Sequence, residues 1–448
     1  MKKSKKLMLL ALSVAVALSL VFTWPVKVSA EDIVLTLWHW ETPPHRVEKL
    51  DEILAKFREE TGIEVRQNPI SFPELNSKIL AAIAANRLPE MIWVNPPQLM
   101  ILRKHNSLVP VTDIFKRIDA EVQFLNPSIE LYRFDQEQLT IPVYGISWPL
   151  EYRADLYEEN GLEPPVYWTD LLEAAKKLTK DLDGDGRIDI YGMMMPYSIK
   201  GNYGSQAVWG FLRTNRANVV EMENGKEKIV FNSTQTIETY KFLKELTKYT
   251  SPGSENMDWG MGELQIRTGK VATAVYTAGF LSTLYRKGLE EMARKWKQKF
   301  IPRPKDGRIG HTAYTRGLVF TTTVTSSKER EAAVKTFVRW LYKPENYAEM
   351  MMMEPVLFVP VVNGKSMMDA FFAKPLIGKF RGAMEVQIDV LNNSSVIGFV
   401  NGIKAPHAAE LEGSFTLGAV LQKIVLQGWS VERAVEWGQK RYEEIIKE

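Results

Sequence analysis

Alternating strand and helix patterns near the start of the chain constrain its fold more than any other feature of the sequence. Residues 33–38 form a short β-rich apolar run, and apolar residues then recur at spacings of three and four as far as Phe57. Gly62 stands where a left-handed residue would end that helix. A strand at 63–65, a second amphipathic helix and an apolar strand at 91–94 follow. This β-α-β-α-β order predicts a parallel sheet covered by helices, because parallel strands need crossover connections.

A similar alternation returns after Gly145 and predicts a second α/β region. It contains a helix at 170–179, a strand at 188–193 and a helix near 236–246. Further expected elements are strands at 272–276 and 318–322 and a helical stripe from Val431 to Ile446. Two lobes suit a chain of 448 residues. Because no low-complexity linker separates them, we expect several short crossings and a cleft between the lobes.

The first thirty residues are typical of a secretory leader. Four lysines within residues 2–6 precede a 16-residue apolar run at 7–22, and Val28-Ser29-Ala30 offers a small-residue cleavage site. A membrane anchor is the alternative, but the run is short for a span of about 20 residues. We expect cleavage before Glu31 and an exported mature chain.

Composition excludes several classes of function. Removing the leader, which holds five lysines and no acid, leaves 52 basic and 54 acidic side chains, so the formal net charge changes from +3 to −2. This balance argues against a nucleic-acid partner. The sequence contains no cysteine, which excludes disulfides, thiol nucleophiles, iron–sulfur clusters, cysteine zinc sites and a lipid anchor on an N-terminal cysteine.

Motifs for common catalytic chemistry are missing from the sequence. It has no H-E-x-x-H pair, G-x-S-x-G elbow, Walker loop or G-x-G-x-x-G fingerprint, and its five histidines are scattered. A secreted glycosidase needs only two well-placed carboxylates, which any of the acids could supply. A carbohydrate-active enzyme therefore stays open as an alternative.

Tryptophans at strand ends and in turns point towards sugar binding. In an open α/β sheet, ligands bind outside the carboxyl ends of the strands, where Trp40 and Asn95 are expected to lie. A flat indole suits the C–H face of a pyranose ring, and burying about 40 Å² of that face contributes about 1 kcal/mol. Core packing is the alternative for each tryptophan, and it is the better explanation for Trp340 and Trp437. The other candidates are Trp38, Trp93, Trp148 and Trp259.

A short acidic segment reproduces most of a calcium-binding loop. Acids occupy its positions 1, 3, 5 and 9, and a glycine occupies position 6, but Gly192 replaces the bidentate glutamate at position 12. A solvated acidic turn is the alternative. The expected ligands are side-chain oxygens of Asp181, Asp183, Asp185 and Asp189 and the backbone carbonyl of Arg187.

Six segments occur in an order that is typical of one family. They are residues 35–40, 57–65, 88–94, 108–113, 155–165 with Trp168, and 268–272. In this order the chain resembles the extracellular solute-binding proteins of family 1, the maltose-binding-protein-like branch, which deliver oligosaccharides to ABC importers. The resemblance implies a two-lobed periplasmic-binding-protein fold of class α/β, with each lobe a β-sheet flanked by helices and a ligand cleft between them. It implies lobe 1 at 31–142 and 303–357, and lobe 2 at 143–302 and 358–448.

The resemblance also implies a ligand site in the cleft. The chain departs from the family at 151–154, where a Tyr-Tyr-Asn-Lys strand is usual, and at 277–280, where we expect Phe280 to replace a stacking indole. Arg316 is included because residues 314–317 directly precede the strand that the family places at the cleft. The expected ligand-binding residues are His39, Trp40, Glu41, Asn95, Trp148, Trp259, Phe280 and Arg316.

Together these observations predict a monomeric binding protein without catalytic residues or a required cofactor. It should bind a carbohydrate, which we expect to be an oligosaccharide, and deliver it to ABC transporter permease subunits. We expect it in the periplasm without a lipid anchor. The alternatives are a secreted carbohydrate-active enzyme and a binding protein for a non-sugar solute such as a peptide.

Overall fold

The structure is a computed structural model that describes residues 33–134 and 136–447. The expected leader, residues 1–30, lies outside the described residues. Helices and sheets are both abundant, which confirms the predicted α/β class. In the described part of the chain, no helix combines the length and apolar character needed to cross a membrane.

Thirteen strands lie within the described residues. They are β1 (Val34–His39), β2 (Glu64–Pro69), β3 (Met91–Val94), β4 (Leu108–Val109), β5 (Arg133–Phe134), β6 (Glu137–Gln138), β7 (Ile141–Ser147), β8 (Leu150–Arg153), β9 (Val220–Glu223), β10 (Lys226–Ile229), β11 (Thr273–Val275), β12 (Trp296–Lys299) and β13 (Ala313–Thr321).

Twenty α-helices accompany these strands in the same residues. They are α1 (Pro44–Thr61), α2 (Phe72–Ala84), α3 (Pro96–Lys104), α4 (Thr112–Val122), α5 (Asn126–Glu130), α6 (Ala154–Glu159), α7 (Trp168–Leu178), α8 (Tyr203–Thr214), α9 (Thr234–Leu246), α10 (Trp259–Arg267), α11 (Gly279–Arg286), α12 (Glu290–Arg294), α13 (Lys328–Leu341), α14 (Pro344–Met351), α15 (Lys365–Phe372), α16 (Pro375–Lys379), α17 (Arg381–Asn392), α18 (Ala408–Gly413), α19 (Thr416–Val425) and α20 (Val431–Ile445).

The larger sheet has six strands in the order β2-β1-β3-β13-β4, with β7 also paired to β13. Strand β1 runs parallel to β2 and β3, which confirms the parallel arrangement predicted for the start of the chain. Strand β13 runs antiparallel to β3, and Gly317 pairs with Val94. The carboxyl ends of β1 and β3 therefore share one edge of the sheet with the amino-terminal half of β13.

Helix α1 shows how local sequence builds this layer. Pro44 occupies its first turn, where the missing N–H costs nothing. Its buried side chains, Leu50, Ile53, Leu54 and Phe57, form one stripe. The helix ends at Gly62, whose φ of 75° is left-handed and whose N–H donates to the carbonyl of Arg58 at 2.8 Å. The predicted helix and its stop signal are both confirmed.

Two strands pass between the two main hydrophobic clusters. Ile141 in β7 belongs to the first cluster, whereas Trp148, directly after β7, belongs to the second. In β13, Tyr314 belongs to the second cluster and Leu318 to the first. The second sheet has the order β11-β8-β12, and only two residues separate its central strand, β8, from β7. These short crossings are typical of a two-lobed molecule.

The assigned lobe boundaries remain predictions. Buried residues from 356 to 391 belong to the first cluster, although residues 358–448 were assigned to lobe 2. The same cluster also includes Met194 and buried residues of 271–296, so its membership does not follow a single division of the chain.

The predicted strand at 188–193 is wrong. Its residues make isolated bridges to three separate partners: Ile190 to Lys180, Tyr191 to Val271 and Met193 to Thr250. The N–H of Gly192 donates to the hydroxyl of Thr179 instead of to a neighbouring strand. The N–H groups of Tyr191 and Met194 donate to carbonyls just before and within β11, at Lys270 and Thr273, but the other bridges go elsewhere, so no continuous strand forms.

Candidate functional site

Three strands bring Trp40, Asn95 and Arg316 together at one edge of the large sheet. Trp40 follows β1, Asn95 follows β3, and Arg316 lies in the amino-terminal half of β13. The guanidinium carbon of Arg316 lies 5.0 Å from the ring centroid of Trp40, and its Nη1 donates to Asn95 Oδ1. The meeting of strand ends that the sequence predicted is therefore present.

A row of aromatic rings continues from Arg316 towards the second cluster. Its guanidinium carbon is 6.0 Å from the ring of Tyr314, which meets Trp148 edge-on at 5.5 Å. The rings of Trp148 and Trp259 are 5.8 Å apart, and Trp259 stacks on Tyr203 at 3.9 Å. We call Tyr314, Trp148, Trp259 and Tyr203 the aromatic row. Through Arg316, the row connects the edge of the large sheet to Trp148 and Trp259, which lie in the stretch predicted to form lobe 2.

The two tryptophans of the row differ in what they can offer a ligand. Trp148 is buried, and its indole N–H has no hydrogen-bond acceptor in the described part of the chain. Trp259 is half-buried, and its indole N–H donates to Asn202 Oδ1 at 3.4 Å. Trp259 therefore retains an accessible surface, whereas Trp148 retains an unused donor.

Tyr314 and Glu412 were not predicted from the sequence. The Tyr314 hydroxyl donates to Glu412 Oε1, and burial raises the pKa of Glu412 to about 7 despite this hydrogen bond and the nearby charge of Arg316. Tyr314 lies two residues before Arg316 in β13, so strand alternation could have placed both on one face. Glu412 lies in α18, far along the chain, and no sequence signal marks it.

His39 and Glu41 lie beside Trp40 but point into the protein. His39 is fully buried, its Nδ1 accepts the N–H of Glu41 at 3.1 Å, and its Nε2 lies 2.8 Å from Gln67 Oε1. Burial lowers the pKa of His39 and favours its neutral form. The Glu41 carboxylate accepts hydrogen bonds from Arg46 Nη1 at 2.5 Å and from the Tyr144 hydroxyl. Both side chains therefore fix the turn that carries Trp40.

Phe280 contacts the aromatic row only indirectly, through Tyr276, whose ring centroid lies 5.6 Å from those of Tyr203 and Trp259. It is 1% exposed and packs against Tyr276 and Trp296, with ring centroids 6.2 and 5.3 Å away. This packing gives it no open face on which a sugar could stack.

The acidic loop after α7 is solvent-exposed and brings carboxylates together. One carboxylate oxygen each from Asp181, Asp183 and Asp189 lies within 4.8 Å of the others. The Asp181 carboxylate accepts the N–H groups of Gly184 and Gly186, and these bonds lower its pKa. The Asp185 carboxylate instead accepts the N–H of Arg187 at 2.7 Å. Calcium binding at this loop remains a prediction. Asp185 is not part of the cluster of three carboxylates.

A separate polar cavity lies beside β13. Its volume is about 580 Å³, and it is lined by Ala313 and Thr315, which alternate along the strand with Tyr314 and Arg316. Residues on its far side include Ser394 and Lys404. The cavity therefore adjoins the face of β13 opposite to the aromatic row.

Comparisons with known proteins agree with this architecture. The chain is 23% identical over 430 residues to YcjN of Escherichia coli (strain K12), whose name places it among ABC transporter periplasmic-binding proteins; the match covers 93% of this chain and 94% of YcjN. Among solved structures, maltose-bound MalE3 of T. maritima matches with a TM-score of 0.73 and 18% identity, covering 92% of this chain and 100% of that chain.

A second solved structure has the same fold. The cyclic α-maltosyl-1,6-maltose binding protein of Arthrobacter globiformis matches with a TM-score of 0.73 and 14% identity, covering 93% of this chain and 99% of that one. These likenesses confirm the two-lobed solute-binding fold. The family model for bacterial extracellular solute-binding proteins matches residues 43–348, which include Asn95, Trp148, Trp259 and Arg316. This chain therefore belongs to the bacterial extracellular solute-binding protein family.

Proposed function

We propose that the chain binds a saccharide between its lobes and delivers it to the permease subunits of an ABC importer. The observation that carries the proposal is the aromatic row, joined through Arg316 to Trp40 and Asn95. Aromatic faces suit the C–H faces of sugar rings, while amide and guanidinium groups can bond the hydroxyls. The name of YcjN and the sugars in the titles of the two structural neighbours support the same class of ligand and partner.

Closure of the cleft would couple binding to delivery. A saccharide touching residues of both lobes favours the conformation in which both sets of contacts form at once. Moving the lobes from 1:99 to 99:1 in favour of closure needs about 5.5 kcal/mol of differential affinity. A few stacked rings with hydrogen bonds can supply this. We further propose that the mature protein acts in the periplasm as a monomer without a lipid anchor.

The proposal is tested by titrating the purified chain with neutral and acidic oligosaccharides. We expect a change in tryptophan fluorescence, a smaller radius of gyration in X-ray scattering and no sugar product after hours of incubation. Hydrolysis of a bound saccharide would support the carbohydrate-active enzyme. Binding of peptides without binding of any saccharide would support the non-sugar alternative.

A further inference from the structure

Most hydrogen-bond donors of Arg316 are unused. A guanidinium has five N–H donors in a planar fork, and within the described residues only one of them, on Nη1, meets an acceptor, the side chain of Asn95. The Nε atom is buried and has no acceptor among the described residues. The Nη2 group has no acceptor among those residues either, but it is not fully buried, so an oxygen of an incoming ligand can reach it.

The charge of Arg316 is also uncompensated. It forms no ion pair with any carboxylate in residues 33–134 and 136–447. Arg46 provides a contrast nearby, because its Nη1 lies 2.5 Å from Glu41 and its Nε lies 2.8 Å from Glu354. Glu412 is close enough to feel the charge of Arg316, but its carboxyl group is bonded to Tyr314. Arg316 is therefore a partly buried cation whose hydrogen-bond partner is a neutral amide.

One donor group of the fork remains open to a ligand. Asn95 occupies Nη1, Trp40 lies 5.0 Å from the guanidinium carbon, and Nε is covered by protein atoms, so Nη2 remains. A ligand carboxylate at Nη2 would accept a charge-assisted hydrogen bond and supply the missing negative charge. A neutral sugar hydroxyl could accept one such bond but would leave the charge uncompensated.

We propose that the saccharide bound by this protein carries a carboxylate, as a uronic acid residue does, and that Nη2 of Arg316 binds it beside Trp40. This inference rests on the proposed function and names the class of saccharide.

The test compares charged and uncharged forms of the same saccharide by isothermal titration. The probes are trimers of galacturonate, glucuronate and mannuronate, their methyl esters, and the neutral trimer maltotriose. We expect at least one uronate trimer to bind about tenfold or more tightly than its own ester, the preference typical of a charge-assisted hydrogen bond. Equal affinity for every acid and its ester, or binding of maltotriose alone, overturns the inference and leaves the proposed function standing.

Two variants assign the preference to Arg316. Arg316→Gln removes the charge, and Asn95→Asp gives the cation a carboxylate partner within the protein with little change in size. Both are expected to abolish the preference for the acid, and Asn95→Asp covers the case in which Arg316→Gln fails to fold. Arg381→Gln is the control, because Arg381 is exposed on α17 and pairs with Glu385 at 2.8 Å. A preference that survives in both test variants would contradict the assignment. Failure of every saccharide to bind the folded wild type would overturn both the inference and the proposed function.

Discussion

Trp40 is held on two sides by its neighbours. The cation of Arg316 lies over its ring at 5.0 Å, and the ring of Phe72 meets it edge-on at 5.8 Å. We expect Trp40→Ala to weaken saccharide binding by about 1 to 3 kcal/mol, since the change removes both a stacking surface and the cation–π partner of Arg316. Isothermal titration with the tightest-binding saccharide measures this.

A second tryptophan serves as the control for Trp40. Trp429 is half-buried. It packs against Arg433 at 3.9 Å between the C-terminal helices, outside the aromatic row. Trp429→Ala should leave affinity unchanged. If Trp40→Ala also binds as the wild type does, Trp40 is a packing residue.

Glu412 should make stability depend on pH. Burial raises its pKa from 4.5 to about 7, so between these values the native state holds a proton that the unfolded chain has released. The free energy of unfolding then falls as pH rises through this window, by up to about 1.4 kcal/mol per pH unit. Urea melts at pH 5 and pH 8 should show that Glu412→Gln loses less stability than the wild type over this interval. Buried histidines are common to both proteins and cancel in the comparison. Equal losses would show that Glu412 titrates normally.

The sequence predicted those site residues that directly follow a strand. Trp40 and Asn95 each follow a strand of the parallel layer, where ligands of open sheets bind. It did not predict that His39 would bond to Gln67 or that Glu41 would bond to Arg46, because those contacts depend on how α1 and β2 pack. The bond from Tyr314 to Glu412 joins residues 98 positions apart and leaves no local pattern.

At the scale of single elements, the acidic loop after α7 is the clearest test of a metal site. Carboxylates of Asp181, Asp183 and Asp189 lie close together and repel one another, so a bound cation would stabilise the loop. We expect millimolar calcium to raise the melting temperature over that in chelator, by an amount set by RT ln(1 + [L]/Kd). Asp183→Ala should reduce the shift, whereas Asp306→Ala, in a separate exposed turn, should keep it. Coincident melts of metal-free wild type with and without calcium would leave only an acidic turn.

The end of α1 depends on one left-handed residue. Gly62 has a φ of 75°, which costs an alanine roughly 1 kcal/mol, so Gly62→Ala should lower the free energy of unfolding by about that amount. Gly382 is the matched control, because it lies in the first turn of α17 and a Cβ there would meet nothing within 4 Å. Gly382→Ala should stabilise the protein by up to about 1 kcal/mol. Denaturant melts measure both, and equal effects of the two changes would contradict the role of the helix end.

Helices were easier to predict than strands because their signals are local. Apolar spacing and Gly62 marked α1, and the stripe that begins at Val431 marked α20. A strand also needs a partner, which its own sequence does not specify. Residues 188–193 have the composition of a strand, yet each bridged residue pairs with a different neighbour.

For the whole molecule, the position of β13 makes the large sheet depend on a late part of the chain. Strand β13 separates β3 from β4 and also pairs with β7. A fragment ending at residue 312 lacks this strand, so β3 has no partner on one side and β4 has none within this sheet. We expect that fragment to be digested by a protease at concentrations that leave the full mature chain intact. A fragment as resistant as the full chain would show that the sheet folds without β13.

The order of synthesis also determines when the large sheet can form. A ribosome has made β1, β2, β3 and β4 long before it reaches β13, and the pairings that β3 and β4 make with β13 have to wait for that strand. Such distant pairings are slow to form, because the intervening chain must be ordered first. The large sheet of a growing chain therefore stays incomplete until β13 has been made. In an exported protein, as we propose this one to be, such a delay would leave time for the chain to be threaded through a narrow channel before the sheet assembles on the far side.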